Sequence, residues 1–555
     1  GINAEYGLSG VGKILQPDET LFYFKNLSLP KEFVQQKTLL HFGAVDYTCD
    51  VHVNGRKCGS HVGGYLPFSL DITDFISDSE NSIEKANKTQ QKDEINLEIL
   101  LKVQDPTEAG AQSRGKQKLQ RGGMFYTPMS GIWQTVWLES VPQLYLQKLQ
   151  PIAFGDEVRF KCYFSQRPEE IKISLFADEN LENLIQQSIF GEKDFKFEQN
   201  STEVCLKLQD VRLWTPESPT LYWIKLQAGE DSVKSYFAAR TVSIVKGKAG
   251  YNVTALNGQP YMCLGVLDQG YWPDSICTPC EEAMLFDIQS MKDLGFNMLR
   301  KHIKIEPLRF YYLCDKIGML VQQDMVSGGD TSQKIVVEAV KNICNKKVDD
   351  SNQDVMKSLG RENLEKRREH TQEIRDTVDL LMSHPCIVSW VLFNESWGQY
   401  NSVAIEKMVR QLDSSRLIDH ASGWHDQGVG DFKSTHRYVF PYKAPKDARA
   451  IALSEFGGYS LKTPDHMLIV KRAFGYVPYK SQQKLQEAYC SLYRKQIAPA
   501  IWQGLTLTVY TQLSDVEDEI NGIYSYDRKI LKFDGETMKL THAFILEEFK
   551  KANFE

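Results

Sequence analysis

Two glutamates carry the first chemical signal in this chain. Glu395 closes the run Ile387-Val388-Ser389-Trp390-Val391-Leu392-Phe393-Asn394-Glu395, and Glu455 closes Ile451-Ala452-Leu453-Ser454-Glu455. Both runs are short, apolar and rich in branched side chains, the pattern of a strand buried on both faces of a parallel sheet. A carboxylate at the C-terminal end of such a strand lies where barrel enzymes place their catalytic groups. Two carboxyls facing each other across a barrel mouth suit glycosidic bond cleavage. One protonates the leaving oxygen, and the other attacks the anomeric carbon or activates water. The reaction needs one neutral and one ionised carboxyl, so their surroundings must push the two pKa values apart. Trp397 offers apolar surface beside Glu395, and Arg300 offers a cation to keep Glu455 ionised. A single strand-end glutamate is more often a solvated rim residue. Two of them, each entering a Gly- or Trp-rich turn, are poorly explained that way.

The elements that must hold this pair follow from the texture of the chain. From about 246 onwards, short apolar runs alternate with amphipathic stretches. Strands are expected at Tyr261 to Leu267, Phe296 to Ile303, Met319 to Asp324, Ile387 onwards, Leu417 to Ala421, Thr435 to Val439, Ile451 to Glu455 and Gly504 to Tyr510, with helices over 281–294, 307–317, 361–383 and 481–497. Eight such alternations predict a (β/α)8 TIM barrel over 246–555. Residues 1–143 instead alternate with period two and carry Asn54-Gly55 between two such runs, a hairpin signal. Gly131 to Glu139 is expected to be one strand, and the polar stretch 77–94 a mobile loop. Many short strands without helices predict a β-sandwich of the jelly-roll type. Residues 144–245 have strand spacing of an immunoglobulin-like β-sandwich and no titratable cluster, so a spacer role is expected. The chain is therefore multidomain, as 555 residues require.

The residues also carry a resemblance. Phe393-Asn394-Glu395-Ser396-Trp397-Gly398-Gln399 and Ser454-Glu455-Phe456-Gly457-Gly458 resemble the acid/base and nucleophile motifs of glycoside hydrolase family 2, the β-galactosidase, β-glucuronidase and β-mannosidase group. Gly131 to Glu139 resembles the end of that family's sugar-binding jelly roll, and Leu213-Trp214-Thr215-Pro216 through Leu221-Tyr222 its immunoglobulin-like domain. Leu299-Arg300-Lys301-His302 to Gln323-Asp324-Met325 resembles its second and third barrel strands. The resemblance implies an exo-acting, retaining β-glycosidase with Glu395 as acid/base and Glu455 as nucleophile. It also implies that Asn394 binds the sugar 2-hydroxyl and that Tyr438 donates to the nucleophile. Glucuronidases of the family carry an Asn-X-Lys triplet after the nucleophile, and none follows Glu455; Asn345-Lys346-Lys347 lies elsewhere. The implied substrate is thus a neutral β-linked sugar, β-galactoside first. β-Mannoside, β-glucuronide and α-L-arabinoside stay open, as do a catalytically inactive carbohydrate-binding protein and an interaction scaffold.

Other residues admit two uses each. His302 either binds a sugar hydroxyl or is a buried structural histidine, and Asp324 either binds hydroxyls or pairs with Arg300. His436 is a candidate assistant to Tyr438. Trp397, Trp424 and Tyr510 either stack on a pyranose ring or pack in the core, and Asp268 and Trp272 are placed in the first strand's loop. From the jelly roll, His61 to Tyr65 or Arg121 to Tyr126 are candidates to reach the pocket. Asp515, Glu517 and their neighbours could hold a cation, though alternating acids more often form a solvated face.

Composition excludes several classes. A net charge of −7 leaves no basic surplus for nucleic acid, and no apolar run approaches the roughly 20 residues of a membrane span. Eleven scattered cysteines make neither a disulfide framework nor a zinc site; Cys277-Thr278-Pro279-Cys280 lacks a second pair. Asn-X-Ser/Thr triplets such as those at Asn26 and Asn200 are common by chance. No metal or cofactor is expected, the only partner required is a carbohydrate substrate, and a homo-oligomer is left open. A reducing, cytoplasmic location is expected, and whether an N-terminal portion precedes Gly1 is left open.

Overall fold

The computed structural model describes residues 13–34, 36–76, 94–330, 348–468 and 473–554. The stretch 77–93, read above as a loop, and Asn345-Lys346-Lys347 lie outside the described residues. In the first sandwich, one sheet orders the strands Leu21–Pro30, Glu94–Gln104, Thr48–Val53 and Arg56–Val62, and a second orders Phe68–Asp71, Lys37–Phe42 and Val136–Val141. Glu94–Gln104 buries every second residue, which is how a two-faced strand fills one core. Asn54 and Gly55 turn the hairpin with φ of 49° and 77°. The strand expected over 131–139 is broken. Gly131–Ile132 pairs with Val45–Asp46, and Val136 pairs with Phe42. Between them the buried Trp133 turns inward to donate from Nε1 to Gly64 O at 2.7 Å. A buried indole N–H that needs a partner overrides the alternation there.

The second sandwich packs the sheets Leu146–Phe154, Glu157–Phe164, Ser201–Lys207 and Leu184–Gly191, Glu170–Phe176, Tyr222–Ala228, Asp231–Phe237 around a core of its own that includes Phe160, Ile173, Leu206 and Ile224.

The remainder is the barrel. Its strands are β1 (Cys263–Asp268), β2 (Met298–Lys301), β3 (Leu320–Asp324), β4 (Ile387–Val391), β5 (Leu417–Asp419), β6 (Phe432–Arg437), β7 (Ala450–Gly457) and β8 (Leu505–Thr511). Seven neighbouring pairs form parallel ladders in the order β5-β4-β3-β2-β1-β8-β7-β6. Asp431 bridges the remaining seam by donating its amide to Ile418 O at 2.8 Å and accepting the Ile418 amide on Oδ2 at 2.7 Å. β1, β2, β3, β4, β5, β7 and β8 are buried throughout, which explains the apolar residues at their starts, while β2 and β3 end in the polar residues Arg300, Lys301, Gln323 and Asp324. Two helices not read from the sequence, Ser402–Leu412 and Gly535–Phe554, belong to this unit.

The sandwiches grip opposite ends of the barrel. From the second, Arg240 donates to Pro385 O at 3.0 Å and to Ile387 O at 2.8 Å, at the start of β4. From the first, the segment 105–130 lies on the loops that follow the strands, with the Arg114 and Gly115 amides donating to Ser327 O at 3.1 and 3.0 Å.

Candidate active site

Glu455 sits near the end of β7 and is 4% exposed. A buried carboxylate needs charge and hydrogen bonds to stay ionised, and β2 and the loop after β6 supply both. Arg300, fully buried, donates from Nη1 to Glu455 Oε1 at 3.2 Å and to Ser454 O at 2.9 Å. The Tyr438 hydroxyl donates to the other oxygen, Oε2. Burial pushes the Glu455 carboxyl up, but the opposing influence of His436, Arg300 and the Tyr438 hydroxyl wins and holds it well below the usual carboxylate range. Burial and the adjacent Glu455 charge push the Tyr438 phenol up, so it remains a donor.

Arg300 is fixed in turn. Its Nε and Nη2 grip Asp324 at the end of β3 in a bidentate pair, at 2.9 and 3.0 Å. Burial raises the Asp324 carboxyl against the pull of Arg300, yet the two-pronged geometry requires two acceptor oxygens, so the pair is ionic. His302 Nδ1 lies 2.8 Å from Asp324 Oδ2, and burial lowers this histidine well below its ordinary value, so it is a neutral imidazole donating from Nδ1. Nη2 of Arg300 also donates to Asn394 Oδ1 at 2.8 Å, which leaves the Asn394 Nδ2 amide as the group available to a ligand.

Glu395 occupies a different setting. It follows β4 on a turn where Glu395 and Ser396 adopt φ of 48° and 62°, a left-handed pair of non-glycine residues of the kind that clusters at functional sites. Its amide donates to Ser422 O at 2.9 Å, and the Ser422 amide donates to Phe393 O at 2.8 Å, pinning the turn to the chain after β5. Its side chain is 20% exposed, against 6% for Glu455. Its partner is His436 of β6, whose Nδ1 lies 2.8 Å from Glu395 Oε1 and whose Nε2 lies 3.6 Å from Glu455 Oε1. Atoms of Glu395, His436 and Glu455 all fall within 4.8 Å of one another. Beyond this trio, no cluster of three acid, histidine or cysteine side chains gathers in that way among the described residues.

The remaining candidates divide. Tyr438 stacks on Tyr476 with centroids 3.8 Å apart, and Trp424 stands 6.3 Å from the His436 ring. Trp397 is nearly buried against Phe125, and that contact, not Glu395, is where its ring packs. Two expectations are corrected. Asp268 spends its oxygens on Lys301 Nζ at 2.7 Å and the Gly270 amide at 2.9 Å, inside a buried ion cluster with Glu306 and Lys304. Tyr510 is fully buried between Phe456, Tyr489 and Phe533 and serves the core.

From the first sandwich, Arg121 to Tyr126 dock on the barrel, and Tyr65 donates to Arg114 O while packing in the core cluster that holds Met325 and Val326. Arg121 meets Glu517 and Asp518 at 3.2 and 3.1 Å, and the Tyr126 hydroxyl meets Glu519 at 2.5 Å. The acids near 515–519 are thus a buried docking surface for another domain, and Asp515 pairs with Lys532; the solvated-face expectation fails because their partners are remote in sequence. Ser422, Ser434, Ser454 and Tyr476 also belong to the site. A serine or tyrosine has no spacing signature, so no sequence signal pointed to them.

Three family models match the chain, each described as glycosyl hydrolases family 2: the sugar-binding domain over residues 10–142, a further domain over 156–240 and the TIM-barrel domain over 255–455. A putative β-glucuronidase of Formosa agariphila is 23% identical over 79% of this chain and 50% of its own length. A β-galactosidase of Vibrio cholerae is 23% identical over 75% of this chain and 37% of its own. The chain spans half or less of these two curated relatives. Among solved structures, an uncultured Clostridium β-glucuronidase superposes with a TM-score of 0.67 at 16% identity, covering 96% of this chain and 88% of that one. A β-galacturonidase of Eisenbergiella tayi superposes with a TM-score of 0.66 at 16% identity over 97% and 91%.

Proposed function

Because the chain belongs to glycosyl hydrolase family 2, we propose that it is a retaining, exo-acting β-glycosidase with Glu455 as nucleophile and Glu395 as acid/base. One observation carries this reading: two strand-end carboxyls have oxygens within 4.8 Å of each other, Glu455 between Arg300 and Tyr438 and Glu395 against His436 alone. That spacing fits the about 5–5.5 Å of retaining pairs and leaves too little room for the water of an inverting pair, at roughly 6.5–9.5 Å.

The chemistry runs through groups already placed. A Glu455 oxygen attacks the anomeric carbon from the α face while the Glu395 proton passes to the glycosidic oxygen, and the aglycone leaves as its alcohol. Arg300 and Tyr438 hold Glu455 anionic until it attacks, and the Asn394 amide faces the 2-hydroxyl beside the reacting carbon. In the second step Glu395, now a carboxylate, takes a proton from water. The resulting hydroxide displaces Glu455, and the sugar leaves with its β configuration kept. The first sandwich's segment 105–130, locked down by Arg121, Tyr126 and Arg114, walls one side of the mouth, which supports action at a chain end over action along an open cleft.

For the sugar, a neutral β-galactoside is the first reading, since the chain after Glu455 lacks an Asn-X-Lys grip on a carboxylate. A second reading, a β-uronide, is favoured by Lys116. This residue of the first sandwich rests its ammonium 5.7 Å from the Tyr126 ring centroid, makes no ion pair among the described residues, and is close enough to help hold His302 neutral. The names of the Formosa, Clostridium and Eisenbergiella proteins support that second reading too. The test is a panel of aryl β-galactoside, mannoside, glucuronide, galacturonide and arabinoside on the pure protein, with product anomer followed by NMR. Turnover of the galactoside with a β product supports the first reading. Preference for a uronide that disappears in Lys116→Met supports the second. An α product on any substrate would end the retaining mechanism.

A further inference from the structure

The reading above needs Glu395 protonated and Glu455 ionised in the same small space. We infer that a chain of serine hydroxyls behind His436 fixes its tautomer, Nε2–H with a bare Nδ1, and that this tautomer assigns the acid role to Glu395. The inference rests on Glu395 and Glu455 being the working pair, and it gives Ser422 and Ser454 a positioning role that contact with substrate would not reveal.

The argument starts at the far end of the chain, at a group that can only accept. Ser454 Oγ lies 2.5 Å from Ser434 Oγ and 3.4 Å from the carbonyl of Thr435, so its one proton has acceptors on that side. Its oxygen is then an acceptor, and the Ser422 hydroxyl donates to it at 2.9 Å. Ser422 has no second proton to give. Its oxygen must accept from His436 Nε2, 3.0 Å away. Ser434, 2.5 Å from Ser454 Oγ, adds a further hydroxyl to the same junction. Ser422 and Ser454 are fully buried, so water cannot substitute for a missing link.

In the neutral form of the ring, a proton on Nε2 leaves a lone pair at Nδ1. Glu395 Oε1 stands 2.8 Å from that nitrogen. Two lone pairs at this distance repel, so the contact is a hydrogen bond only if Glu395 brings the proton. The same Nε2–H lies 3.6 Å from Glu455 Oε1, a distance at which it stabilises an anion without bonding to it. One ring in one tautomer therefore pushes its two carboxyl neighbours in opposite directions. The other charges around it are Arg300, His302, Asp324 and Asp419; Arg300 and Asp324 neutralise each other, and His302 is uncharged. Through the reaction His436 keeps its proton. Glu395 loses its own to the leaving oxygen and recovers a proton from the attacking water.

Ser422→Ala tests this. It removes the acceptor for Nε2–H, so the ring is free to protonate Nδ1 and stabilise ionised Glu395. The alkaline limb of kcat/KM on a poor-leaving-group glycoside should fall by about one pH unit, with the acid limb unmoved. Dinitrophenyl glycoside, which leaves without a proton, should lose far less in its glycosylation step. Ser422→Thr keeps the hydroxyl and should restore the limb. A second measurement needs no turnover: ¹⁵N shifts of His436, assigned by their loss in His436→Gln, should show Nε2–H and bare Nδ1 in the parent at neutral pH. Parent His436 carrying its proton on Nδ1, or limbs unmoved with an equal loss on every leaving group, would overturn the inference. Absence of activity on the whole panel would instead sink the glycosidase reading, while the tautomer would still be measured.

Discussion

Glu395 follows β4 and Glu455 lies in β7, strands that do not pair in the barrel sheet, and the same side chain has a different setting in each place. Glu455 lies within β7 where its register to both neighbours shifts, with Arg300 on one oxygen and Tyr438 on the other. Glu395 lies just past its strand on a left-handed turn, partly open to solvent, with a single imidazole as its partner. A carboxyl surrounded by donors is stabilised as an anion, and Glu395 has no such ring of donors, only the His436 imidazole. The role of each follows from what surrounds it, and residue type is silent on the matter.

The largest expected break is Glu455→Ala, which removes the proposed nucleophile. Turnover of every substrate should fall on the order of 10⁵-fold, with azide restoring it as the α-glycosyl azide, detected by NMR. A fall confined to poor leaving groups would exchange the two roles.

Glu395→Ala should cost about 10²–10⁴-fold on substrates with poor leaving groups and much less in the glycosylation of dinitrophenyl glycosides. Here azide attacks the glycosyl-enzyme, so the product should be the β-azide. Finding the α-azide would reverse the assignment.

Tyr438→Phe sharpens the contrast. Glu455 is held below the usual carboxylate range, so the acid limb of activity should lie at unusually low pH in the parent, since the nucleophile stays ionised as pH falls. Without the phenol donor the limb should move to higher pH, and kcat/KM should drop by roughly 10–100-fold. An unchanged acid limb would show that Tyr438 does not govern this carboxylate.

The smallest effect belongs to the second sandwich. Glu179 accepts from Lys316 Nζ at 2.8 Å and from the Tyr312 hydroxyl at 2.9 Å on the barrel's flank. As a half-exposed pair it is worth about 0–1 kcal/mol, so Glu179→Gln should leave kcat/KM within about twofold and barely move the melting temperature. A selective loss of activity would mean that this domain communicates with the pocket.

Much of this was open to a reader of the chain alone. Strands buried on both faces are mostly apolar, so β4 and β7 stand out in the sequence, and a glutamate at the end of such a run is conspicuous. Asn54-Gly55 named its hairpin because few residue pairs tolerate two positive φ angles. What distance in sequence hides is partnership. Arg300 meets Glu455 across 155 positions and the Arg121 loop meets Glu517 across 396, and no local pattern encodes either. Asp268 and Tyr510 looked like rim residues because strand ends are legible, but whether a side chain faces the mouth or an inner ion cluster depends on where Lys301 and the Phe456 ring arrive. The sequence by itself determined the barrel, its two sandwiches and the two carboxyls, because burial and periodicity are local properties. Only the tertiary structure decided which carboxyl is held as an anion and which faces His436, because a pKa is set by charges and hydrogen bonds that the fold, and not the chain order, brings within a few ångströms.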